Sequence, residues 1–292
     1  MSISSAATET GGRYVNIGDT RLYIVERGHG YPLLLLHGGP GDDHHEFGDY
    51  LDELGDSYRL ILVDQRSQGR SDQAPVVTWT LQQMAADVSA LARALGLKRY
   101  AVLGHSYGAF VALEHAVDFP GHAAQTIVSS GIPSSRFLAQ VETNLQTFEP
   151  IELRQQVADS WARESKAETQ ADFAAIMHDQ IPFHFADPRD PRINEYHART
   201  VGTVYAPQVL KHFAQQAYGG IEVEDRLGEI TQPVLVLAGR HDRTCSVEAA
   251  EAIAAGVPYA DLVVFERSAH FAFVEEQERY LKAVRHFLYR TR

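Results

Sequence analysis

The pentapeptide Gly104-His105-Ser106-Tyr107-Gly108 decides how the rest of the chain is read. It follows the apolar run 100–103 and opens a helical-looking segment, 107–119, which is the strand-turn-helix setting of a G-x-S-x-G nucleophile elbow. A serine lifted out of so sharp a turn needs torsions and close approaches that flanking side chains would obstruct, hence the glycines. Ser106 is expected above a sheet edge, at a helix N-terminus whose free N–H groups and dipole favour a nascent oxyanion.

Working outward, residues 32–36 and 59–63 are continuous apolar runs of strand length, the pattern of strands buried on both faces. Residues 79–95 carry Leu81, Met84, Val88, Leu91 and Leu95 near helical spacing, with Gly96 as the stop. Residues 126–129 supply the next strand. Strands and helices thus alternate as in a mostly parallel sheet covered on both faces. Upstream, 13–30 reads as an antiparallel strand pair turning at Gly18-Asp19 and Gly28. From 132 to 227 the buried strands stop, and stretches such as 137–147, 153–166 and 209–218 read as an inserted helical cap. The sheet resumes at 233–237 and 262–265, and an amphipathic helix at about 275–289 closes the chain. The expected organisation is a disordered N-terminus at 1–12, core at 13–131, cap at 132–227 and core again at 228–292.

The bulk properties exclude some functions. A chain of 292 residues can bury a sizeable core. Its net charge of -12, without a Lys/Arg cluster, argues against nucleic acid or an anionic membrane as a partner. A single cysteine, Cys245, rules out an internal disulfide and multi-thiolate metal sites, and reads as a buried filler in a reducing, cytoplasmic setting. No run reaches the length of a membrane span, and residues 1–12 lack the apolar centre of a signal peptide.

Chemistry is expected where three strand ends meet. Ser106 follows the elbow strand, Asp242 follows 235–237 and His270 follows 263–265. Nucleophile, acid, histidine is the chain order associated with the α/β-hydrolase fold, and strand ends in a parallel sheet share one edge. In such a triad His270 takes the Ser106 proton and Asp242 fixes the imidazole. Asp64 also ends a strand but precedes the elbow, the wrong order. His37-Gly38-Gly39-Pro40-Gly41 is the second signal: a glycine loop after a strand turns an N–H, that of Gly39, toward the oxyanion, with the Tyr107 N–H as the other donor. The loop lacks the Lys and Ser/Thr of a phosphate-binding P-loop.

Residues 37–41, Asp64 to Ser71, 104–108, Asp242 and His270 together resemble the prolyl aminopeptidase (proline iminopeptidase) branch of the α/β-hydrolases. The resemblance implies an eight-stranded, mostly parallel sheet, a helical cap, no metal or other cofactor, and release of an N-terminal residue, often proline, from peptides. It also implies carboxylates that hold the substrate ammonium, one after the triad aspartate and one in the cap. Here Arg243 takes the first place, and Glu222, Glu224 and Asp225 are the cap candidates, with His37 a further candidate for substrate contact. The family's DQRG-x-GRS stands as DQRSQGRS, with Ser67 for glycine. The reading is therefore a serine hydrolase with a short-peptide or small-molecule substrate. An esterase, lactonase or amidase is the alternative, and a non-catalytic ligand-binding protein of the same fold stands behind both.

Overall fold

The computed structural model describes residues 11–291. The expected disorder at 1–12 thus lies outside them, except for Gly11 and Gly12, which lead into the first strand. Eight strands form one sheet: β1 (Arg13–Asn16), β2 (Arg21–Gly28), β3 (Tyr31–Leu36), β4 (Tyr58–Val63), β5 (Ala101–His105), β6 (Gln125–Ser129), β7 (Val234–Gly239) and β8 (Ala260–Phe265). Their spatial order is β1-β2-β4-β3-β5-β6-β7-β8. The β1–β2 and β2–β4 pairs are antiparallel, and every later pair is parallel.

Why the central strands read as unbroken apolar runs is visible in how they divide their side chains. Leu34, Leu36, Ile61, Val63, Val102, Val234 and Val236 face one core. Their neighbours Leu33, Leu35, Leu60, Leu62, Ala101, Leu103, Leu235 and Leu237 face the other. The period of two is intact, but both faces are covered, so no polar alternation shows. The first core is closed by α1 (Leu81–Ala94), α2 (Tyr107–Asp118) and the helix Val247–Gly256. Thr80 caps α1 through the Gln83 N–H. The second core is closed by the helix Gln277–Arg290, which buries Tyr280, Leu281, Val284, Phe287 and Leu288.

Between β6 and β7 the chain leaves the sheet. It forms α3 (Ala139–Gln146), α4 (Ile151–Glu164), α5 (Gln170–Gln180), α6 (Arg192–Arg199) and α7 (Pro207–Ala214). Val141, Phe148, Val157 and Phe183 give this segment a small core of its own. No helix among the described residues is long and apolar enough to cross a membrane.

In the loop after β4, the Arg66 guanidinium is fully buried, with both Asp87 oxygens at 2.7 Å and Asp19 at 2.9 Å. Ser67 accepts the positive φ of 61° that its place demands. Its hydroxyl receives the Trp79 indole N–H and the Ala74 amide, each at 2.9 Å, which offsets the strain of a non-glycine residue there.

At the elbow, a Cβ on Gly104 would sit 2.0 Å from the Gly108 carbonyl oxygen, and a Cβ on Gly108 would sit 2.1 Å from that of Leu36. Because backbone cannot give as a side-chain tip can, Gly108→Ala is expected to cost about 3 kcal/mol or more in urea unfolding. Gly228→Ala, which meets nothing within 4 Å, should stay within about 0.5 kcal/mol of the wild type.

Candidate active site

Ser106 stands at φ 54°, ψ −120° between the end of β5 and the first turn of α2, half-buried, with its amide donated to the Ser129 carbonyl at 2.9 Å. A serine does not adopt that φ unaided; the parallel neighbours β3 and β6 impose it.

Asp242 and His270 meet 28 residues apart in sequence because β7 and β8 are adjacent. Asp242 Oδ2 lies 2.8 Å from His270 Nδ1. Its Oδ1 accepts from the Thr244 amide at 2.9 Å, the Thr244 hydroxyl at 2.8 Å and the Cys245 amide at 2.9 Å. Burial alone would raise this carboxyl, but the His270 ring and the Cys245 and Thr244 amides outweigh it and hold it below the usual carboxylate range. A carboxylate so fixed keeps the hydrogen of a neutral imidazole on Nδ1 and leaves Nε2 as the basic atom. Asp64 is engaged elsewhere, 2.5 Å from His44 Nδ1 and 2.8 Å from the Arg70 amide.

The glycine loop after β3 is braced from beneath. His37 is fully buried, and its Nε2 accepts the Gln65 amide at 3.2 Å, so its hydrogen is on Nδ1, which donates to the Gly38 carbonyl at 2.9 Å. In a trans peptide the next N–H points the opposite way, so the bond to Gly38 orients Gly39. His37 thus braces the loop from beneath and does not line the cavity described below. Neither Gly39 nor Tyr107 gives its amide hydrogen to a backbone acceptor among the described residues.

Ser106, His270, Gly39 and Tyr107 all line one cavity of about 320 Å³ under the helical segment. Its walls are largely apolar, with Phe110, Leu138, Val141, Trp161, Phe173 and Met177 among them. Three carboxyl groups also reach it: Glu46, Glu142 and Glu164. None was legible as a site residue beforehand. Glu46 is carried in by the short 3-10 turn His44–Phe47, and Glu164 by the last turn of α4, positions that ordinary helical patterning does not distinguish. Cys245 lines the cavity too, but burial pushes its thiol well up, so it stays protonated.

The other expected substrate contacts lie elsewhere. Glu222 accepts from Ser134 and Ser135, and Glu224 pairs with the exposed Arg136. Both carboxylates are consumed by the turn that starts the inserted segment, and neither lines the cavity. Arg243 turns away as well. Its Nη1 donates to the Phe183 and Phe185 carbonyls at 2.9 and 2.7 Å, its Nη2 to that of Ala186 at 3.3 Å, and it lies over the Phe148 ring at 5.1 Å. Between those carbonyls, that of His184 accepts the His270 amide at 3.0 Å, and the two imidazoles lie with centroids 4.9 Å apart, tilted by 39°. A cation at 243 therefore ties the inserted segment to the sheet and does not face a substrate. Loss of these charged hydrogen bonds in Arg243→Gln is expected to cost about 2 kcal/mol and to speed amide exchange across residues 183–186, read by hydrogen-exchange mass spectrometry.

This architecture has relatives. A proline iminopeptidase of Lactiplantibacillus plantarum is 28% identical over 270 residues, which cover 88% of this chain and 91% of the relative. The crystal structure of a proline iminopeptidase from Mycobacterium smegmatis superposes with a TM-score of 0.75 at 25% identity, over 96% of this chain and 98% of that one. An alpha/beta fold family hydrolase from Bacillus anthracis reaches a TM-score of 0.80 at 21% identity, over 95% and 99% of the two chains. The family described as alpha/beta hydrolase fold matches residues 31–277, and with the eight-stranded sheet and its elbow in place the chain belongs to that family.

Proposed function

We propose that the protein is a serine hydrolase working through an acyl-enzyme, and that it releases N-terminal residues, proline foremost, from short peptides. The observation that carries the reading is the convergence of Ser106 and His270 on one cavity, with Asp242 hydrogen-bonded behind His270. Ser106 Oγ attacks the carbonyl carbon as its proton passes to His270 Nε2. The Gly39 and Tyr107 amides receive the oxyanion, each donor being worth about 2.7–4 kcal/mol in enzymes of this type. The C–N bond then breaks, and the leaving amine takes the proton from His270. Water, deprotonated by the same imidazole, attacks the acyl carbon, and the released Ser106 oxygen recovers its proton.

Peptide specificity is supported by the proline iminopeptidases among the relatives. Hydrolysis of small esters or amides is the second reading, because Arg243, Glu222 and Glu224 are all occupied away from the cavity. A ligand-binding role without catalysis is disfavoured because Ser106 and His270 line one cavity and Asp242 is hydrogen-bonded to His270.

Purified protein is to be assayed beside Ser106→Ala on prolyl-arylamide, N-acetylprolyl-arylamide and a short acyl ester. A preference for the free amine of tenfold or more, about 1.4 kcal/mol, is the expected result, with all activity and fluorophosphonate labelling lost in Ser106→Ala. Ester hydrolysis alone moves the substrate to the second class, and activity retained by Ser106→Ala overturns the mechanism. Asp242→Asn is expected to lower kcat by about 10⁴ through the wrong imidazole tautomer, with the fold unchanged by circular dichroism.

A further inference from the structure

We propose that Glu46, in the loop below the elbow, is the carboxylate that recognises a substrate ammonium group next to the scissile carbonyl; this rests on the aminopeptidase reading above and relocates its anchor. The resemblance placed that anchor after the triad aspartate and in the cap, and this chain fills those places with residues that face elsewhere.

Of the three cavity carboxyls, Glu164 has both oxygens engaged, by Gln180 at 2.7 Å and Tyr218 at 2.5 Å. Glu142 is exposed on α3 and accepts from Gln146. Glu46 differs. It is 5% exposed; Oε2 accepts the Gly38 amide at 2.6 Å, and Oε1 has no hydrogen-bond partner among the described residues. A Cβ on Gly38 would lie 2.5 Å from that Oε1 and 2.9 Å from Ser106 Cβ, so the open oxygen and the serine flank the same residue. An α-amine is one carbon removed from the carbonyl that Ser106 attacks, so a carboxylate this close to the serine is within its reach.

Glu46 also lacks a counter-charge. The buried Asp42 stands nearby, and no cation pairs with either residue among those described. Burial first, and then neighbouring carboxylates, Asp42 acting on Glu46 and Asp43 on Asp42, drive both carboxyls up, Asp42 to about 8. The shifts hold both acids towards the neutral form, and an incoming ammonium favours the ionised form that binds it.

The test is Glu46→Gln, which keeps an oxygen for the Gly38 amide and removes the charge, assayed on prolyl-arylamide and on the short acyl ester with a thermal melt as folding control. The expected result is a tenfold or greater fall in the ratio of kcat/KM for free amine over ester, mostly through KM. Glu46→Asp, with the charge kept and the reach shortened, should give an intermediate ratio and serves if the glutamine variant does not fold. Equal losses on both substrates would reduce Glu46 to a brace for Gly38 and overturn the proposal, while leaving the proposed function intact. Loss of the amine preference in Glu164→Gln and not in Glu46→Gln would overturn it in favour of the inserted segment. A wild-type protein with no free-amine preference would overturn both the proposal and the aminopeptidase reading, with ester hydrolysis lost in Ser106→Ala still upholding the serine hydrolase.

Discussion

Backbone packed directly on backbone at the elbow is the contact on which the site depends. Gly108 lies against the Leu36 carbonyl, at the end of β3, and Gly104 lies against Gly108 itself. That approach brings the N-terminus of α2 beside the glycine loop that leaves β3. Two amides from distant parts of the chain, at 39 and 107, then line the same small volume. No hydrophobic contact could set this distance, because side chains vary in reach and rotamer while a peptide plane does not.

Away from the cavity, the buried charges singled out here are matched. Arg66 has Asp87 and Asp19, Asp242 has its imidazole, two amides and a hydroxyl, and Arg243 has three carbonyls. The Asp42–Glu46 pair has no cation among the described residues, and Glu46 lies beside Ser106. Desolvating an acid without a counter-charge is costly, and at Glu46 that cost falls on the wall of a ligand-sized cavity.

The fold was legible where the local pattern has one cause. Continuous apolar runs predicted β3, β4 and β7 to within a residue or two, and the elbow and strand-end residues followed from chain order. The helix Val247–Gly256 escaped notice because its Ala-rich sequence carries a weak apolar stripe. The lack of buried strands between β6 and β7 is legible in the sequence, but α5 and α6 are not, since α5 packs on α4 and α7 and α6 buries only Tyr196, against the second core. Among site residues, Glu222, Glu224, Arg243 and His37 were read as substrate contacts by position along the chain. Where a side chain points depends on which neighbours can take its hydrogen bonds, and those neighbours come from remote segments: Ser134 for Glu222, Phe183 and Phe185 for Arg243, Gln65 for His37. For the same reason Glu46 could not be singled out from the sequence.

The stretch 183–186 is shared property. Its carbonyls hold Arg243 and the His270 amide, and the Ala186 amide is held by Glu275, whose other oxygen takes the Ala269 amide. The roof of the cavity and the mounting of the histidine are therefore one piece of main chain. Modularity is lost as a result: any change that loosens 183–186 frees the roof and unseats the histidine along with it.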